Sequence, residues 1–234
     1  MSQHIVGNAS QVVDAESFLA ATHVSRETIA RLSLYESLLR KWQKSINLVS
    51  SATLSELWRR HMLDSAQLAD LAPPDARIWA DLGSGGGFPG LVIAIILRES
   101  PGFSMHLVES DQRKCVFLRE VARETGAPVE VHNQRIEGFA AESGLKPDVV
   151  SARALAPLPR LLGWAAPLFG PAAIGLFLKG QGIEGELTEA RKEWIFEAEL
   201  SPSRSDPSGC VLKLRGLHGA DRHSPGQRDA GFRR

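Results

Sequence analysis

Cysteine is scarce, with two in 234 residues. Cys115 and Cys210 stand far apart and form no C-x-x-C, which argues against a zinc site or a redox pair. Cys115 shares a helical face with Leu118 and Ala122 and reads as a small core residue. Long hydrophobic runs are absent too. The longest, Leu91 to Leu97, falls far below the roughly 18 residues that a membrane span requires. The opening "MSQHIVGNAS" lacks the basic flank and apolar stretch of a signal peptide, so a reducing cytoplasm is the expected setting. Aromatic residues are only 6% of the chain, and Trp42, Trp58 and Trp79 fit core positions better than a stacking platform. Formal net charge is zero, so global charge does not point to nucleic acid. Its distribution is uneven: seven Lys/Arg against three Asp/Glu between Arg26 and His61, and five against two from Arg215 onward. An anionic partner and plain solvated helix faces both fit that pattern.

What is present is the composition of a globular domain, 43% hydrophobic and 23% charged. The length suits one buried domain plus an extension. Apolar positions 29, 32, 35, 39, 42, 46 and 49 step by three and four, which predicts an amphipathic helix. Thr53 and Glu56 are spaced as a capping box. Leu54, Leu57, Trp58, His61, Met62 and Ser65 then share one side of a second helix. From Arg77 the texture changes. The short apolar runs "RIWADLG", "SMHLVES", "VEVHN", "PDVVSAR" and "IGLFLKG" alternate with helical patterns at 90–98, 112–125, 158–168 and 183–193. That alternation predicts a parallel sheet covered on both faces. "WIFEAELSP" and "CVLKLRGL", joined by the turn-rich "SRSDPSG", leave no room for a crossover helix and should close the sheet as an antiparallel hairpin. The expected organisation is a helical extension over 1–74, an α/β domain over 75–217 and a flexible basic tail over 218–234. The first ten residues are expected to be flexible as well.

The window "DLGSGGGFPG", residues 81–90, follows the first strand, where an open parallel sheet binds ligands. Gly85, Gly87 and Gly90 spell G-x-G-x-x-G, the dinucleotide pattern. The match is imperfect, because the strand runs into Gly83 and the last glycine position of that register is Phe88. Asp81 at the strand tip would repel a pyrophosphate and suit a cationic, phosphate-free ligand such as S-adenosylmethionine. Pro89 suits the first turn of the next helix. Glu109 ends the second strand and fits ribose hydroxyls with either ligand. Ile136 and Glu137, after the third strand, offer an apolar side chain and an acceptor for adenine.

These residues resemble the bacterial 16S rRNA guanine-N7 methyltransferases, also called glucose-inhibited division protein B. The resemblance runs from Ile29 to Leu217 and rests on six segments in order: "KWQKSINLVS", "RHMLDS", "DLGSGGGFPG", "RKCVFLRE", "SARALAPL" and "LFLKGQ". It implies a class I, Rossmann-like S-adenosylmethionine-dependent methyltransferase fold: a mostly parallel seven-stranded sheet ending in an antiparallel hairpin, with an N-terminal helical extension. It also implies a guanine of 16S rRNA or the small ribosomal subunit as acceptor, and neither membrane nor metal. The cofactor contacts it implies are Gly83, Phe88, Ile136, Glu137 and Arg153, with Asp81, Gly85 and Glu109 at the acidic and glycine positions. Gly86 stands where relatives often have Ala or Pro, and Glu109 where they have Asp.

The chemistry is compatible with what the sequence lacks. Guanine N7 attacks through a lone pair and loses no proton, so the absence of a nucleophile–base constellation is tolerated. Neither a D/N-P-P-Y/F motif for adenine-N6 transfer nor a Pro-Cys for cytosine-C5 transfer occurs. Arg153, just past the fourth strand, is the residue expected to serve catalysis. Arg59, Arg60, Arg113, Lys114 and Lys179 are candidates for phosphate contacts, or else ordinary solvated charge. His61 and Asp64 read as a pocket lining or as a pair joining extension to sheet. A small-molecule methyltransferase, an RNA-binding assembly factor and an NAD-dependent oxidoreductase are the competing functions.

Overall fold

A computed structural model describes residues 12–220. Its centre is a seven-stranded sheet: β1 (Ile78–Leu82), β2 (Ser104–Glu109), β3 (Val129–Asn133), β4 (Val149–Arg153), β5 (Ile174–Lys179), β6 (Trp194–Pro202) and β7 (Cys210–Gly219). The order is β3-β2-β1-β4-β5-β7-β6. The first five strands are parallel, while β7 runs antiparallel to both β5 and β6. The turn-rich segment therefore does what its length requires, and the expected hairpin closes the sheet.

The helices are α1 (Ala15–Ala21), α2 (Arg26–Trp42), α3 (Ser51–Leu54), α4 (Asp64–Leu71), α5 (Gly90–Ile96), α6 (Gln112–Thr125), α7 (Ile136–Glu142), α8 (Leu158–Ala165) and α9 (Ile183–Ala190). A π-helical segment, Leu57–Leu63, leads into α4. Central strands are apolar on both sides, as strands covered by helices must be. Trp79, Leu107, Val149 and Leu176 join one core with Phe18, Leu32, Tyr35, Trp58, Leu68 and Phe117. Ala80, Val108, Val150 and Phe177 join a second core with Phe139, Leu161 and Leu187. The N-terminal helices thus pack on one face, with α5 and α6, and α7, α8 and α9 cover the other.

Several expectations change. The helix predicted over 29–49 starts earlier, at the Ser25 cap, whose hydroxyl accepts from Thr28 N, and ends at Trp42. Beyond it the Gln43 side chain accepts from Leu48 N and Val49 N and donates to Val49 O, so Ile46, Leu48 and Val49 are buried from a loop. An apolar step of three or four cannot distinguish that loop from a further turn of helix. Thr53 and Glu56 make no capping box. The Thr53 hydroxyl bonds Ser50 O and His61 Nε2, and Glu56 pairs with Arg59. Two helices were not anticipated. Asp14 caps α1 in a reciprocal bond with Ser17, and α7 is short and holds Gly138. The expected flexible tail begins too early, because His218 and Gly219 still pair with β6. Residues 1–11 and 221–234, which hold the first ten residues and the rest of the tail expected to be flexible, lie outside the described residues.

Candidate functional site

Strand order reverses between β1 and β4, and the crevice beyond their carboxyl ends is where such sheets bind ligands. The glycine loop occupies that place. Gly83 N and Ser84 N donate to Val108 O at 2.9 and 3.1 Å, which ties the loop to β2. Gly83 has φ +66°, and a Cβ there would come within 2.5 Å of Leu155 Cδ1. Gly90 is required for a different reason: its Cβ would meet Leu107 at 2.3 Å and Asp81 Oδ2 at 2.9 Å. Glycine here lets α5 sit directly on β1 and β2. Pro89 immediately precedes α5.

The two acids have different surroundings. Asp81 is fully buried beneath the loop. Its Oδ1 accepts from Ser151 Oγ at 2.7 Å, and Trp79 Nε1 donates to the same hydroxyl at 2.9 Å. The strand register places Asp81 beside Ser151, on one face of the sheet. Burial pushes the Asp81 carboxyl up to about 6 despite hydrogen bonds from Ser151 and Ser84 that favour its charge. Glu109 instead borders open space. Its Oε2 accepts from Gly85 N at 2.9 Å and its Oε1 from Asp111 N at 2.8 Å. Each oxygen keeps a further lone pair.

Glu109 lines a cleft of ≈ 290 Å³ together with Gly83, Gly85, Lys114, Ile136 and Glu137. Five of the expected cofactor residues converge there. Asp81 and Phe88 do not line it. Phe88 packs inward, with ring centroids 5.3 Å from Tyr35 and 4.8 Å from His61. The expectation that Asp81 lies open to a ligand is thereby corrected: its carboxylate sits under the loop, and Oδ2 is buried without a hydrogen-bond partner. Tyr35, the chain's single tyrosine, donates its hydroxyl to Gly86 O and so joins α2 to the loop. No sequence motif signalled that contact.

A second cavity, of ≈ 390 Å³, opens on the other side of Leu155. Arg60, Asp64, Arg153, Lys179, Glu186 and Asp206 line it. Arg153 is deeply held: one Nη donates to Arg60 O at 2.7 Å, and the other is buried without a partner. Burial works against its charge, while the Asp64 carboxylate supports it and Arg60 opposes it. Ala154, next in the chain, has φ +47°, a strained conformation for a residue with a Cβ. Across this turn Arg153 lines one cavity and Leu155 lines both. Asp64 Oδ1 accepts from Ser203 Oγ at 2.7 Å, and Gln67 bonds Pro202 O and Arg204 N, so α4 docks on the β6–β7 turn. His61 is not paired with Asp64. Its Nε2 meets Thr53 Oγ1 at 2.9 Å, and burial beside Arg153 and Arg60 pulls it down to about 3, which keeps it neutral.

A family model described as GidB, rRNA small subunit methyltransferase G, matches residues 28–205. The chain belongs to this family. It is 74% identical over 223 residues to the ribosomal RNA small subunit methyltransferase G of Parvibaculum lavamentivorans, covering 94% of this chain and 97% of that one. It is 56% identical to the protein of the same name from Paramagnetospirillum magneticum, covering 86% and 94%. Among solved structures, cofactor-bound Rv0187 from MTB aligns with a TM-score of 0.58 at 18% identity, covering 87% of this chain and 97% of that one. A methyltransferase from Geobacter sulfurreducens aligns with a TM-score of 0.56 at 14% identity, with the same coverages. At such identities these two establish the fold, which is the Rossmann-like methyltransferase fold.

Within this GidB family member, the basic residues expected to meet phosphate are mostly engaged. Arg59 pairs with Glu56 and reaches Ser205 O. Arg60 pairs with Asp206 at 2.7 Å. Lys179 donates to Glu186 at 2.8 Å and to Ala156 O at 2.9 Å. Lys114 borders the cleft beside Glu109, and Arg113 stands exposed on the first turn of α6. Arg60 and Lys179 line the same cavity, while Lys114 lines the other.

Proposed function

We propose that the protein transfers a methyl group from S-adenosyl-L-methionine to N7 of a guanine in 16S rRNA, in the bacterial cytoplasm, with neither metal nor general base in the transfer. The carrying observation is the pair of cavities that share Leu155, one lined by bare backbone and carboxylate and the other holding an unpartnered buried arginine nitrogen. S-adenosyl-L-methionine supplies the activated methyl group. The cleft fits that donor by its chemistry: Gly83 and Gly85 leave backbone uncovered, Glu109 retains acceptor capacity for hydroxyls, and buried Ile136 with exposed Glu137 suits a flat ring bearing an amine. Lys114, Arg135 and Arg160 also line the cleft, so the choice of a phosphate-free donor rests on the Glu109 carboxylate beside the glycine loop.

Guanine would enter from the Arg153 cavity. The free Arg153 Nη is a donor, so it suits the carbonyl O6 and leaves the N7 lone pair to attack. Catalysis is then chiefly in-line positioning. Asp64, Glu186 and Asp206 around this cavity are matched by Arg153, Lys179 and Arg60, so its wall carries both signs of charge. A-form RNA hides N7 in its narrow major groove, so the target is a loop or an extruded base.

The test is a transfer assay with tritiated donor on free 16S rRNA, 30S subunits and 70S ribosomes, followed by borohydride–aniline cleavage and reverse transcription. One stop at a guanine, absent from a strain lacking the gene and restored by the protein, is expected. Tight cofactor binding with no labelled RNA would replace the reading with small-molecule methylation. Absence of cofactor binding in calorimetry would leave an RNA-binding assembly factor.

A further inference from the structure

Away from both cavities, β2 and β3 bring together the one group of at least three metal-ligand side chains found among the described residues: His106, Glu130 and His132. The parallel register pairs His106 with Glu130 and Val108 with His132, so all three side chains emerge on the same face of the sheet. His106 Nδ1 lies 3.0 Å from His132 Nε2. The two Glu130 oxygens lie 3.6 Å from His106 Nδ1 and 3.7 Å from His132 Nε2.

We propose that His106, Glu130 and His132 bind a divalent first-row transition metal of the zinc class. Ligands about 2.0–2.1 Å from a tetrahedral zinc stand about 3.3 Å from one another. The two nitrogens, 3.0 Å apart, stand close to that value, and a small rotation of the Glu130 carboxylate brings one oxygen into similar reach of both. Two imidazoles and a carboxylate form a mixed N/O donor set that zinc and cobalt accept and magnesium does not prefer. Three protein ligands leave a fourth position for water. The histidine side chains are 13% and 20% exposed and Glu130 is 67% exposed, so the nitrogens are held in place while the carboxylate can swing onto an arriving ion. The His132 ring also packs on Phe139, at 4.7 Å between centroids, which fixes its orientation. A bound ion would fasten the edge strand β3 to β2. That connection adjoins the cofactor-side cleft, because Val108 lines it and α7 begins with Ile136 and Glu137. The scarcity of cysteine argued against zinc, but this donor set needs none.

The test uses full-length, untagged protein dialysed against chelator and titrated with Co²⁺, then with Zn²⁺. Visible d–d bands saturating at one Co²⁺ per chain, and bleached by Zn²⁺, are expected. Zn²⁺ should also raise Tm, as any ligand selective for the folded state does. Glu130→Gln, at an exposed position, should weaken Co²⁺ binding by at least about tenfold, and His132→Ala should abolish the bands. Absence of bands in the wild type would overturn the site. So would equal Zn²⁺ affinity and equal Tm shifts in wild type and Glu130→Gln, since the ion would then bind elsewhere.

Discussion

The two cavities flanking Leu155 are drawn from different parts of the chain. The cleft beside Glu109 combines backbone with side chains: Gly83 and Gly85 lie on it with Lys114, Arg135, Arg160 and Trp164, and Glu109 is itself held by two backbone N–H groups. The Arg153 cavity is walled by charged side chains drawn from the π-helical segment, α4, β4, β5, α9 and the β6–β7 turn. The first is built wholly within the sheet domain, from residues between Gly83 and Trp164. The second exists only while the helical extension, the sheet and the hairpin stay assembled. Under the proposed function the small donor occupies the first and one base of a large RNA the second.

Substituting Gly83 should break the cleft beside Glu109 outright. Gly83→Val places a β-branched residue at φ +66°, with its Cβ 2.5 Å from Leu155 Cδ1. The left-handed backbone alone costs about 1–2 kcal/mol, and the Leu155 side chain, which walls both cavities, must shift to make room. Affinity for S-adenosylhomocysteine by calorimetry is expected to fall at least about 100-fold, with the far-UV circular dichroism unchanged. Retained affinity would move the cofactor elsewhere. Arg153→Ala addresses the other cavity. Turnover should fall about 100-fold, a loss comparable to that of one oriented electrostatic donor, while cofactor Kd stays within about twofold. A parallel loss of cofactor binding would merge the two cavities into one site.

The same contrast explains what was legible in the chain. Alternating apolar runs, the glycine loop and the short "SRSDPSG" connection are local signals, and each led to the correct sheet, switch point or hairpin. Gly83, Gly85, Glu109, Ile136 and Glu137 meet at one cleft because they lie at or just past strand ends, and strand ends converge. Contacts made at long range left no such trace. Tyr35 reaching Gly86 O spans 51 positions, and Ser203 reaching Asp64 spans 139. Asp81 and Glu109 looked alike as acids ending strands; only the register beside Ser151 shows that one faces a core. The π-helical turn was equally hidden, since Leu57 to Leu63 satisfies an ordinary helical pattern.

Beneath the two cavities lie buried groups with opposite pH behaviour. Asp81 titrates near 3.8 unfolded and near 6 folded. Between those values the folded state binds more protons, so stability falls as pH rises, and above 6 the full penalty, about 3 kcal/mol, is present. His61 titrates near 6.5 unfolded and about 3 folded. There the unfolded state binds more protons, so stability is lost as pH falls below 6.5. The two slopes oppose each other between about pH 4 and 6. Asp81→Asn should remove one of them. Urea unfolding is expected to show a gain of about 1–3 kcal/mol at pH 7.5, and a steeper loss than wild type on acidification to pH 4. Parallel pH profiles for the two proteins would mean that Asp81 is solvated.

The smallest effect is expected where the Arg153 cavity meets solvent. Arg60 and Asp206 pair at 2.7 Å, but their side chains remain 31% and 25% exposed. Hydrogen bonds from Ser208, with Arg60 adding to them, hold the Asp206 carboxyl below its usual value of 3.8. Its contribution is therefore complete above pH 4 and fades only as pH falls further. Asp206→Asn keeps an acceptor for Ser208 and deletes only the charge. Ion pairs this accessible contribute about 0–1 kcal/mol, so a loss under about 1 kcal/mol is expected, shrinking further in 1 M salt where the Debye length is about 3 Å. The docking of α4 on the turn rests instead on the bonds of Asp64 and Gln67. A loss above about 2 kcal/mol, insensitive to salt, would reverse that assignment and make Arg60–Asp206 the contact that holds the extension in place.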